Sequence, residues 1–201
     1  MPINIAAKRG AKNQRRKAVV ARKRKAEIQA GTLSGRVRLA SADPIQHCLL
    51  TESLFEVGAG TLIVARGATP HSLTMAAFLL DIQALGVKDA FLTSLSGREL
   101  ADHLASISVA APLRPVDPPY ARKLLRDLAH WAADLGFAPH RDYPKLEPIF
   151  GTTAVAACVE FRFGYDGEAL YVGDELDEGG IPASGRRAFT IDADDVRELS
   201  E

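Results

Sequence analysis

The sequence predicts an α+β protein: a mostly antiparallel sheet carrying two hairpins, packed on two or three helices, with a basic N-terminal arm that is flexible or helical. Three observations lead there. Apolar, β-branched runs come in pairs separated by short Gly-bearing turns, as hairpins require. The strongest helix signals gather between those pairs instead of alternating with single strands. The charge is also divided between the two parts of the chain. Residues 1–40 hold 12 basic side chains against the single acid Glu27, while the other 161 residues hold 13 basic and 24 acidic ones. The sequence is therefore expected to divide into a basic arm at 1–42, a globular α+β domain at 43–172 and an acidic, Gly-rich segment at 173–201.

The arm comes first in chain order. Between Lys8 and Lys25 stand ten cations with no acid among them: Lys8, Arg9, Lys12, Arg15, Arg16, Lys17, Arg22, Lys23, Arg24 and Lys25. Residues 11–30 are mostly good helix formers and Gly31 stands where a C-terminal cap belongs. Like charges oppose that helix in solution, and a row of phosphates would relieve the repulsion. Nucleic acid is the favoured partner, RNA ahead of DNA, with the ribosome among the hosts that would supply it. A membrane-surface helix would want Trp, Phe or Leu opposite the charges, and none occurs before Leu33. Gly31, Ser34 and Gly35 read as a flexible joint.

In the body, Pro44–Leu50 reads as a strand, and Thr51–Val57 as a short helical turn closed by Gly58 and Gly60. Thr61–Arg66 and Ser72–Ile82 read as hairpin strands around a loop at 67–71. Ser96 and Glu99 form a capping-box pattern that opens a helix to about Ile107. Asp117, Pro118 and Gly136 delimit a longer helix whose buried stripe is Leu124, Leu125, Leu128, Trp131, Ala132 and Leu135. Arg122, Arg126, His130 and Asp134 fall on its wet side. A short helix is expected over 144–150. A second hairpin is expected from Val159–Phe163 to Ala169–Val172, with Asp166 and Gly167 as its turn. Residues 173–185 read as mobile, and Ile191–Glu201 as a weak closing helix.

Candidate chemistry is sparse. His140, Asp142 and Tyr143 follow a helix end in a polar loop, where an imidazole beside a carboxylate can serve as general base. His140 and Asp142, with Asp81 or Glu52, would form the catalytic set of a metal-dependent hydrolase or nuclease, if the protein is an enzyme. Asp81 ends an apolar run and is expected to pair with Lys88. Glu52, Glu56 and Glu160 are further carboxylates for such a site. His47 and Cys48 are adjacent on a strand and so face opposite ways. Cys48, Cys158, His47 and His140 lack close metal-ligand spacing, so no metal site is expected and both cysteines are expected buried. No cofactor motif occurs.

Five blocks carry a resemblance: Pro44–Leu49, Leu54–Gly60, Phe78–Phe91, Leu135–Tyr143 and Phe163–Gly167. The chain resembles a set of bacterial proteins with a Lys/Arg-rich leader and a compact body, a set with no established activity. That likeness implies a bacterial cytoplasmic setting. Relatives of this pattern carry acids after a Phe-Gly pair, where this chain has Thr152 and Thr153 after Gly151. The expected function is a non-catalytic, RNA- or ribosome-associated protein. The alternatives are the hydrolase built on His140 and Asp142, and an antitoxin-like module whose acidic C-terminal segment meets a protein partner.

Overall fold

Runs of alternating apolar residues build a five-stranded antiparallel sheet in the computed structural model, which describes residues 31–171 and 189–190. The ten cations of the arm, residues 173–185 and the closing helix fall outside the described residues. Strands β1 (Ile45–Thr51), β2 (Ala59–Thr69), β3 (Ser72–Asp81), β4 (Gly86–Leu95) and β5 (Leu113–Pro115) lie in the order β4-β3-β2-β1-β5. The register places Leu49 opposite Ile63, Ile63 opposite Ala77, and Ala77 opposite Phe91. The fold is α+β, with helices on both faces of that sheet.

The period-2 alternation of strands sends each face to a different core. Leu62, Val64, Ala76, Phe78 and Leu80 face one way and meet Leu124, Leu125 and Leu128 of helix α4 (Pro118–Asp134). Ile63, Ala65, Leu73, Met75 and Ala77 face the other way and meet Leu100 of α3 (Gly97–Ala110), with Leu104 and Ile107 partly buried against them. Fully burying side chains of this size stabilises by about 1.5–3 kcal/mol each before chain entropy is charged against it. The Ser96–Glu99 capping box forms as expected and starts α3: the Ser96 hydroxyl accepts from the Glu99 N–H, and the Glu99 carboxylate accepts from the Ser96 N–H. Helix α2 (Leu54–Val57) ends on Gly58, whose φ of 84° is the left-handed cap conformation.

Four features differ from the sequence expectation. The region read as a flexible joint contains helix α1 (Leu33–Ala40), so the ordered body begins before residue 43. Thr32 caps α1 by accepting from the Gly35 N–H, and Val37 and Ala40, three residues apart, are both buried in the main core. Strand β4 was not foreseen. A bulge between the Leu79–Asp89 and Leu80–Val87 pairs leaves Lys88 and Asp89 exposed in succession, which breaks the alternation that marks a strand. Third, only the turn of the expected second hairpin forms, with Asp166 at φ 53° and Gly167 at φ 87°. Residues 159–163 run without strand pairing, and β6 (Leu170–Tyr171) pairs in parallel with β7 (Phe189–Thr190). Aromatic packing, not a ladder, holds that stretch: Phe161 lies 5.1 Å from Tyr120 and 6.1 Å from Phe55, and Phe163 lies 5.5 Å from Trp131. Fourth, Arg122 is not on a wet side and Arg126 is there only in part, while His130 and Asp134 are exposed. The short helix α5 (Tyr143–Leu146) and the 3-10 turn Glu147–Phe150 that follows it place Glu147 against both guanidinium groups.

Candidate functional site

His140 is positioned by the sheet. Its N–H donates to the Val87 carbonyl of β4 at 2.8 Å, and its Nε2 lies 3.6 Å from Asp89 Oδ1. The bulge at Lys88 is what turns Asp89 to that side. The His140 Nδ1 is buried and makes no hydrogen bond among the described residues. Asp142 faces elsewhere: its Oδ1 accepts from Lys145 Nζ at 2.6 Å, and that bond, despite some desolvation, holds the carboxyl below the usual carboxylate range. Asp81 sits at the other end of the turn into β4. It does not pair with Lys88, because its Oδ1 accepts from the N–H groups of Gln83, Ala84 and Leu85 at 3.0, 2.9 and 3.4 Å. Such a cap satisfies amides that a tight turn leaves open. The carboxylate that meets His140 is thus Asp89, while Asp81 and Asp142 each have a different partner.

The remaining candidate ligands scatter. His47 is exposed and Cys48 buried on opposite faces of β1, as adjacency on a strand requires. Burial, with the negative charge of Asp117 adding to it, pushes the Cys48 thiol up to about 12. Cys158 is exposed, contrary to expectation, because residues 152–163 cross the surface without entering the sheet. Among the described residues no three of His, Cys, Asp and Glu converge as a metal site. His130 is exposed and makes no ion pair with Asp134 among them.

Two arginine networks were missed by sequence reasoning. Arg66, 6% exposed in the middle of the sheet, donates to the backbone carbonyls of Ser41 at 3.1 Å, Phe150 at 2.6 Å and Asp43. Burial lowers its pKa, but a guanidinium stays charged in proteins. Arg122 and Arg126 converge on Glu147 Oε1 at 2.8 and 2.6 Å, and Arg122 also donates to the carbonyls of Gly151 and Thr153. Burial works against ionisation of Glu147, yet the two guanidinium groups outweigh it and hold the carboxyl below its ordinary range. All of these bonds end on the chain itself, so they fasten the 147–153 segment to α4 and the sheet.

The basic character that marks the arm continues onto the described body at α1. Arg38 is exposed and Arg36, half-buried, reaches Ser94 Oγ at 3.4 Å, while Val37 and Ala40 anchor the opposite side. A shallow groove of about 190 Å³ lies beside Arg38, lined by Thr32, Ser34 and Gly35. No described helix is long and apolar enough to cross a membrane. Comparison with protein-family models, curated proteins and solved structures found no match to this chain.

Proposed function

We propose that the protein is a non-catalytic RNA-associated factor, with the ribosome one source of that RNA, and that it grips phosphates through the arm. The observation that carries this reading is the run of ten cations without an acid between Lys8 and Lys25. Residues 31–171 hold 12 basic and 15 acidic side chains, so the attraction for a polyanion resides in the arm and not in the body. Helix α1 supports the reading in a second way. Its exposed Arg38 extends the basic run, and its buried Val37 and Ala40 tie the arm's exit to the core. Phosphate binding through such an arm releases condensed counterions, which makes affinity a steep function of salt.

The test is RNA retention by the full-length protein at 50 and 200 mM salt, beside a variant with the ten arm cations replaced by glutamine. For six to ten phosphate contacts on a single strand, log K should fall against log salt with a slope of about −4 to −7. The glutamine variant should lose retention and keep the melting temperature of the parent. Retention that survives neutralisation at low salt would refute the proposal.

A further inference from the structure

The cleft between β5 and the first turn of α4 is open and of about 430 Å³, and among the described residues it is lined by Arg114, Pro115, Val116, Asp117 and Tyr120. Its polar groups are unspent. The Arg114 side chain makes no ion pair or hydrogen bond among the described residues, although Asp117 lines the same cleft. Asp117 stands at the N-cap of α4, yet its side chain caps nothing. The sequence explains part of that: Pro118 and Pro119 follow it and carry no N–H to offer. A cation and a carboxylate that line one cleft without joining suit a ligand that brings an anion and a pair of donors of its own.

The third wall is aromatic and braced. The ring of Tyr120 packs edge-on with Phe161 at 5.1 Å, and Phe161 stacks with Phe55 at 6.1 Å and Phe163 at 6.0 Å. The backbone closes the frame, since the Val116 N–H donates to the Cys48 carbonyl at 3.0 Å and the Ala156 N–H to the Pro119 carbonyl at 3.2 Å. A rigid ring, an acceptor-only carboxylate and a guanidinium are what a nucleotide needs for its base face, its pairing edge and its phosphate. The volume falls within the range of about 300–1,000 Å³ typical of small-ligand clefts.

We propose that this cleft binds a guanine nucleotide, with the base against Tyr120, its N1–H and N2–H donating to the Asp117 carboxylate, and its phosphate on Arg114. Guanine is selected because it alone presents two adjacent kinds of N–H on its pairing edge. Adenine, cytosine and uracil each present one donor group there. The nucleotide has two sources with this chemistry, a guanosine in an RNA strand or a free mononucleotide. The first rests on the arm's grip of RNA proposed above, and the second is independent of it.

The experiment uses the full-length protein and measures binding by calorimetry or fluorescence. The probes are GMP, AMP and guanosine, and 12-nucleotide strands of all uridine or of uridine with one central guanosine. GMP should bind at least about tenfold tighter than AMP, and Asp117→Asn should erase that preference. Arg114→Gln should weaken GMP and leave guanosine unchanged. The Asp117 side chain is exposed and makes no hydrogen bond among the described residues, so its variant should melt with the parent. A gain for the strand containing guanosine identifies RNA as the source; a gain for GMP alone identifies the free nucleotide, and either supports the site. RNA retention with no guanine preference in any probe overturns the cleft and leaves the arm standing. A guanine preference that persists in Asp117→Asn also overturns it. Loss of RNA retention on neutralising the arm, with GMP still bound, separates the two readings.

Discussion

Replacing Glu147 with alanine removes the carboxylate that the Arg122 and Arg126 guanidinium groups share. Glu147 and Arg122 are each 13% exposed, and Arg126 is 42% exposed. Breaking a buried pair by deleting one partner costs about 3–5 kcal/mol, because the other charge is left without a counterion. Two features place this case at the low end. Arg126 can turn to water, and Arg122 keeps its bonds to the Gly151 and Thr153 carbonyls. The expected loss is therefore about 3 kcal/mol, which for a chain of this size lowers Tm by about 6–12 °C. Thermal melts followed by circular dichroism measure it. A double-mutant cycle with Arg126→Ala should return a smaller coupling than one with Arg122→Ala, in line with exposure. The same carboxylate gives a pH test. Its folded-state pKa lies below the ordinary value, so its contribution is present above the ordinary carboxylate range and is lost as pH falls through the folded pKa. Glu147→Gln should be less stable at neutral pH and lose less of its stability on acidification. A Tm change below about 2 °C for Glu147→Ala would refute the reasoning and reduce the cluster to an ordinary surface pair.

Three further outcomes follow from the geometry. Gly86 has φ 71°, and a Cβ there would stand 2.5 Å from Ala132 Cβ; Gly86→Ala should cost about 2–4 kcal/mol by urea unfolding. Asp81→Ala should cost about 1–2 kcal/mol through the loss of its three amide partners, and Asp81→Asn less, since an amide oxygen still accepts. A thiol reagent should label Cys158 rapidly in the native protein and reach Cys48 only on unfolding, because the thiolate is the reactive form and burial suppresses it at Cys48. Mass spectrometry of labelled peptides distinguishes the two cysteines.

Local signals were legible wherever one residue's chemistry acts on its own neighbours. Ser96 and Glu99 announce a helix because both groups of the capping box lie within one turn. Pro118 in the first turn and the helical spacing of the leucines at 124, 125 and 128 mark α4, and the β2–β3 hairpin follows from its apolar strands and Gly-bearing turn. The uneven spread of lysine and arginine needs no fold to be seen. What the sequence alone determined was thus the α+β class, these elements and the charged arm.

The tertiary structure decided the rest, because it depends on groups distant in the chain. Arg66 is bonded to a carbonyl 84 positions away, and Arg122 and Glu147 meet across 25. The partner of His140 proved to be Asp89, brought there by a bulge that hides β4 from any alternation pattern. Arg114, Asp117 and Tyr120 are close in sequence, but only the packing of β5 beside α4 makes a cleft of them. Periodicity reports how a segment meets a core. It does not report which side chains from separate segments are left facing one another once the sheet has closed.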